Sequence, residues 1–269
     1  MRYLHPMNPS PFRLDGRTAL VTGASGGLGG RFVRVLHDAG ARIVVTGRDP
    51  DHPRLRELAD ELGGARAGSL ERRVLDVRDA ASVDALFDAL ATDGIGVDIL
   101  INNAGIATGT PALALADEDW DAVLDTNLRG PWLVAQRFAR ARVATAIESG
   151  PRASIVNVGS ILGSRVGAGT AAYAAAKAAL VHLTRSLALE WARHGIRVNA
   201  LSPGYVLTDI NRDFFATPAG EATVKRIPQR RIGEPSDLDG ALLLLASDAS
   251  AYMTGSDLVI DGGHLCSAL

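Results

Sequence analysis

Two hydrophobic patterns alternate along the chain. Short runs rich in apolar and β-branched residues fall at 18–22 (TALVT), 42–46, 72–75, 99–102 (ILIN), 154–158 (SIVNV), 197–201 and 258–260. Between them lie longer stretches with apolar positions three and four residues apart, at 28–38, 54–62, 80–90, 117–147, 171–193 and 235–247. A strand with no polar face needs cover on both sides. Seven such strands alternating with helices predict one doubly wound α/β domain over 1–269, its parallel sheet having helices on both faces and ligands at the strands' carboxyl ends. Residues 204–233 break the rhythm: they hold Pro218, Pro228, Phe214 and Phe215 and no clear strand. An irregular insertion at that edge is expected to act as a substrate lid. Residues 1–12 carry prolines where a signal peptide needs an apolar run, and read as an N-terminal extension.

Composition narrows the function. With 47% hydrophobic and 22% charged residues in 269, the chain has the makeup of an ordinary globular protein. A formal charge of −2 gives no electrostatic footprint for nucleic acid or an anionic membrane. The most apolar helical stretch, 241–246, is too short to span a bilayer. One cysteine, Cys266, permits neither an internal disulfide nor a thiolate cluster, and the six histidines lack metal-ligand spacing. A cytoplasmic protein with no metal, no nucleic acid and no membrane partner is expected.

Between the first strand and first helix stands Thr22-Gly-Ala-Ser-Gly-Gly-Leu-Gly29. Gly23 permits the turn, Gly27 lets the backbone approach a phosphate, and Gly29 lets the helix pack on the sheet. Ser25 and Leu28 complete a loop that aims free N–H groups at an anion. The same stretch matches the G-x-S-x-G elbow of serine hydrolases, but that elbow follows several strands and Ser25 follows one. The second strand ends at Gly47, where an NAD-binding acid is expected, and Arg48 follows. A guanidinium suits a ribose 2′-phosphate, so NADP(H) is favoured, with NAD(H) the alternative. Asp76, followed by Val77, ends the third strand and reads either as an acceptor for the adenine amino group or as a helix N-cap.

With Asn102-Asn103-Ala104-Gly105, Ser160, Tyr173-Ala-Ala-Ala-Lys177, Pro203-Gly204 and Asp261-Gly-Gly263, the chain resembles the compact branch of the short-chain dehydrogenase/reductase family from about Arg17 to Gly263. The resemblance implies a Rossmann fold, a nicotinamide cofactor, hydride transfer between an alcohol and a carbonyl, and a homo-oligomer, tetramer or dimer. It casts Gly23, Gly27 and Gly29 as the pyrophosphate loop and Asp76 with Val77 as the adenine site. Asn103, Ala104 and Gly105 become the wall beside the cofactor, and Pro203, Val206 and Thr208 the nicotinamide side.

Tyr173 and Lys177, four apart on an alanine-rich helix, share one face. A carbonyl becoming an alcohol needs a proton, and a phenol can supply it. Lys177 is expected to lower the phenol's pKa and to hold ribose hydroxyls; only it and Lys225 are lysines in a chain rich in arginine. Ser160 can position the substrate oxygen. Asn127 can hold, on its backbone carbonyl, a water that relays protons to Lys177. His194 reads as structural, and His264 has no assignable role. Ile161, Leu162, Val166, Tyr205, Val206, Phe214 and Phe215 point to an apolar ketone or secondary alcohol. A 3-oxoacyl-thioester reductase, docking its carrier on Arg129, Arg165 or Arg212, and a sugar or sugar-acid dehydrogenase are alternatives. A non-catalytic nucleotide sensor is the reading from another class, and the intact Ser160, Tyr173 and Lys177 argue against it.

Overall fold

A computed structural model describes residues 10–63, 70–145, 153–208 and 211–267. The expected positions 1–9, the helical positions 146–147, lid positions 209–210 and the last two residues lie outside the described residues. The chain runs β1 (Thr18–Thr22), α1 (Gly29–Asp38), β2 (Arg42–Gly47), α2 (Pro53–Gly63), β3 (Leu70–Val74), α3 (Ala80–Thr92) and β4 (Ile99–Asn102). It continues with α4 (Asp117–Leu124), α5 (Gly130–Thr145), β5 (Ala153–Val158), α6 (Ala171–Trp191) and β6 (Ile196–Pro203). Then come α7 (Arg212–Phe215), α8 (Pro218–Val224), α9 (Asp239–Ala246) and β7 (Asp257–Ile260).

The strands stand in the order β3-β2-β1-β4-β5-β6-β7, every neighbouring pair parallel. Because strand side chains alternate in direction, each apolar strand feeds two cores. Ala19, Val21, Ile99 and Ile101 pack with Phe32 and Leu36 of α1 and with Leu242 and Leu245 of α9. Leu20, Leu100, Ile155 and Val198 pack on the other face with Leu86 and Leu90 of α3, Phe138 of α5 and Leu187 of α6. β1 has β2 on one side and β4 on the other, so the winding reverses there, and the crevice at the carboxyl ends falls between β1 and β4.

Three local departures from the pattern have physical causes. The third strand starts two residues earlier than its apolar run: Leu70 pairs with Ile43 and Glu71 with Val44. It is an edge strand, and its Glu71 and Arg73 form ion pairs with Arg42 and Asp93 instead of entering a core. The helix over 117–147 is interrupted: α4 gives way to a π-helical turn, Asp125–Arg129, before α5. Pro131 has no N–H for the α-helical ladder, so the chain widens ahead of it. The region 204–233 contains α7 and α8, and its base is closed where Leu207 N donates to Gly233 O (2.8 Å) and Gly233 N to Tyr205 O (2.9 Å).

Candidate functional site

The glycine loop leaves β1 and turns into α1 under backbone contacts that admit no side chain. A Cβ on Gly23, whose φ is +65°, would lie 2.7 Å from Ala104 Cα; one on Gly29 would lie 2.5 Å from Gly23 O and 2.9 Å from Asn103 Nδ2. Asn103 secures this crossing. Its Nδ2 donates to Thr22 O and Gly23 O, both at 3.0 Å, while Thr22 Oγ1 accepts from the N–H groups of Asn103 and Ala104.

Gly27, with φ +48°, faces open space. The N–H groups of Ser25, Gly27 and Leu28 have no acceptor among the described residues, and no side chain caps α1. A cleft of about 610 Å³ opens beside the loop, bounded by Ser25, Gly26 and Gly27, by Arg31 and Arg34 of α1, by Arg54 and Leu58 of α2, and by Leu207 and Thr208; Ser160, Tyr173 and Lys177 do not line it. A helix N-terminus with uncommitted donors and a cradle that side chains would fill fits the pyrophosphate of a dinucleotide. Gly29→Ala should therefore cost about 1–3 kcal/mol of stability, by overpacking, and weaken dinucleotide binding more than tenfold. Gly26→Ala, with nothing within 4 Å of the added methyl, should leave the thermal melt unchanged.

The next strand ends extend the groove. A Cβ on Gly47 would lie 4.0 Å from Ser25 Oγ, and the Gly47 carbonyl accepts from Leu75 N at 2.9 Å, so Arg48 emerges between the glycine loop and Asp76. Arg48 is exposed, and its charge reaches Asp76. Asp76 is gripped by Arg78, whose Nε and Nη2 donate at 3.1 and 2.7 Å and whose N–H donates at 3.0 Å. This clasp holds the Asp76 carboxyl below the ordinary aspartate value, so it is an ionised acceptor. The N-cap reading of Asp76 is corrected: Asp79 caps α3, accepting from Ala81 N at 2.9 Å. Val77 is buried against Gly130, where an added Cβ would lie 2.9 Å from Val77 Cγ2.

At the far end, Ser160, Tyr173 and Lys177 come together. Ser160 follows β5 with extended backbone, its Oγ accepting from Leu162 N at 3.1 Å. The turn Ile161–Gly163 then packs on α6, a Cβ on Gly163 falling 3.0 Å from Lys177 C. Lys177 is buried beneath Tyr173, its Nζ 5.5 Å from the ring centre and donating to Val158 O at 2.7 Å. Withdrawal from water pushes its ammonium down to about 8. Tyr173 departs from expectation: burial pushes its phenol above the ordinary tyrosine value, and the nearby Ser160 hydroxyl only partly offsets this.

Asn127 lies fully buried in the π-helical turn. Its side chain pins Ile106, Oδ1 accepting from Ile106 N at 2.8 Å and Nδ2 donating to Ile106 O at 2.7 Å. Gly105 is the spacer between it and the lysine, since a Cβ there would sit 3.1 Å from Asn127 Oδ1 and 3.7 Å from Lys177 Nζ. Pro203 ends β6, Val206 is buried at the base of the 204–233 region, and Thr208 N donates to Asn211 Oδ1 at 2.8 Å.

The residues expected to give an apolar substrate wall scatter. Ile161 and Val206 are core, Val166 is 86% exposed, and Tyr205, Phe214 and Phe215 form an aromatic cluster. His194 lies in an exposed turn just before β6, at the amino ends of the strands, away from Ser160. Sequence reasoning missed the Arg78 clasp, the Asn127–Ile106 pincer and the burial of His264. Among the described residues no acidic, histidine or cysteine cluster forms a metal site, and no helix is long and apolar enough to cross a membrane.

The family model described as enoyl-(acyl carrier protein) reductase matches residues 23–264. A D-threitol dehydrogenase of Mycolicibacterium smegmatis is 41% identical over 253 residues, 94% of each chain. A galactitol 2-dehydrogenase of Rhizobium johnstonii is 40% identical over 266 residues, 95% of this chain and 97% of that one. A gluconate 5-dehydrogenase of Burkholderia cenocepacia, solved with NADP and tartrate, superposes with a TM-score of 0.88 at 36% identity, covering 96% of this chain and 98% of that one. With the glycine loop and the serine, tyrosine and lysine in this arrangement, the chain belongs to the short-chain dehydrogenase/reductase family.

Proposed function

We propose that this oxidoreductase interconverts a secondary alcohol and its ketone with NADP(H), Tyr173 acting as acid in reduction and base in oxidation. The observation that carries this reading is the placing of the Tyr173 phenol against Ser160 and over the buried Lys177 Nζ. The bound dinucleotide supplies or receives the hydride. Ser160 holds the substrate oxygen by its hydroxyl and sets it beside the phenol. In reduction the phenolic proton passes to that oxygen, leaving a phenolate that Lys177 stabilises by charge; in oxidation the proton returns. Lys177 also offers donors to ribose hydroxyls. Asn127, set next to Lys177 across Gly105, suits a proton relay through its backbone carbonyl.

For the cofactor, the groove past Arg48 supports NADP(H), and the Burkholderia relative was solved with NADP. Arg48→Ala should weaken NADPH binding about 10- to 100-fold, as expected for losing a charged contact to a phosphate, and leave NADH nearly unchanged. Fluorescence titration of both cofactors checks this; equal losses would remove Arg48 from the 2′-phosphate.

For the substrate, a polyhydroxylated alcohol is favoured over an apolar ketone. Of the apolar candidates, Ile161 and Val206 are buried in the core and Val166 is exposed, and the relatives aligned almost end to end are named for threitol and galactitol. Turnover of a panel of polyols, sugar acids, simple ketones and 3-oxoacyl thioesters, followed by nicotinamide absorbance, tests this. A preference for thioesters would overturn it.

A further inference from the structure

Three segments leave the carboxyl ends of β5, β6 and β7 and meet through Arg165, Tyr205 and His264. Arg165 stands one turn past Ser160, its N–H donating to Ile161 O at 2.9 Å. Its Nη1 donates to His264 O at 2.7 Å, tying the turn after β5 to the C-terminal turn His264–Cys266. The His264 ring is 5% exposed and leans on Tyr205 at 5.5 Å between centres; Tyr205 meets Phe215 edge-on at 5.6 Å. His264 Nδ1 is buried with no hydrogen-bond partner among the described residues.

The charges around this ring are two guanidiniums, Arg165 and Arg226, and one carboxylate, Asp261. Burial and Arg165 hold the imidazole below its ordinary value, so it is neutral at physiological pH. Asp261 is committed to its own turn, Oδ1 accepting from Gly263 N at 2.8 Å and Oδ2 from Leu265 N at 2.5 Å. Arg165 forms no ion pair among the described residues and spends one N–H on His264. A guanidinium has five donors, arranged as a fork that matches a carboxylate. The corner is thus net positive, walled by aromatic rings, and set on the turn that carries Ser160.

We propose that this corner is a carboxylate subsite, so that the substrate is a polyhydroxy acid whose carboxylate rests on Arg165 while its carbinol carbon lies at Ser160 and Tyr173. The inference rests on the secondary-alcohol reading above and narrows it: an uncharged polyol leaves Arg165 without a counter-charge.

The test compares kcat/KM for matched pairs of equal carbon number, an aldonate and its alditol, with NADP+. Wild type should favour the aldonate at least tenfold. In Arg165→Ala the aldonate-to-alditol ratio should fall about 10- to 100-fold, the range for losing a charge-assisted hydrogen bond. Arg165→Gln, which can still donate to His264 O, guards against mere loosening of the turn; it should show the same fall, and Arg165→Lys should restore part of the ratio. Alditols used as well as aldonates by wild type, or equal losses on both in the variants, would overturn the proposal. Turnover of neither class, or of any simple secondary alcohol, by protein that binds NADP+ would instead overturn the parent reading.

Discussion

Tyr173→Phe should lower turnover by about 10²- to 10⁴-fold, the usual worth of a positioned proton donor, while NADPH affinity stays within about twofold. The substitution removes one hydroxyl from a half-buried ring and leaves α6 and Ser160 in place. The phenol's raised pKa fixes the sign of the pH dependence. At neutral pH the group is protonated, so reduction has its acid. Oxidation needs the phenolate, so its rate should climb as pH rises through the alkaline range, and reduction should fall over the same interval. Both slopes should vanish in the variant. Stopped-flow turnover in each direction against pH checks this, and a variant with unchanged rates would remove Tyr173 from the chemistry.

Lys177→Met should abolish most activity yet raise stability at neutral pH. A buried ammonium with one carbonyl acceptor is costly, and its depressed pKa measures that cost. The native value is about 8 against an ordinary 10.5, a difference worth about 3 kcal/mol at 1.36 kcal/mol per unit. Below pH 8 both folded and unfolded chains hold the proton and the native state bears the penalty in full. Between about 8 and 10.5 the native lysine has shed its proton while the unfolded one retains it, so stability rises with pH. Methionine fills similar volume without the charge; leaving Val158 O unpaired returns about 1 kcal/mol. The variant should thus be about 2 kcal/mol more stable at pH 7, the gap closing as pH passes from 8 to 10.5. Urea unfolding of both proteins across pH gives the difference directly. A variant less stable than wild type at pH 7 would show that Lys177 is no burden to the fold.

The sheet was legible because its strands are apolar on both sides. TALVT and ILIN can sit only between two helix layers, and they do. β3 was misplaced by two residues for the opposite reason: an edge strand bears charge, and Glu71 hides its start. The π-helical turn at Asp125–Arg129 was invisible because one widened turn barely disturbs the 3.6-residue period on either side. In the site, local spacing was readable. The glycine loop and the Tyr173–Lys177 pair lie within one turn or one helix. What depends on contacts between distant segments was not, including the hold of Asn103 on the glycine loop, the pincer of Asn127 on Ile106 and the joining of Arg165 to His264. The phenol's pKa was misjudged because sequence shows the neighbouring charge but not the depth of burial.

The proposed chemistry is reversible oxidation of a carbinol with NADP(H) at Ser160, Tyr173 and Lys177. It is tested most directly with a polyhydroxy acid or polyol deuterated at its secondary carbinol carbons, incubated with NADP+ and the purified protein. Mass spectrometry should find one deuterium in the reduced cofactor and the matching ketone in the product, and neither with Tyr173→Phe. Reduced cofactor without the label, or a Tyr173→Phe protein that labels it as fast as wild type, would contradict the account.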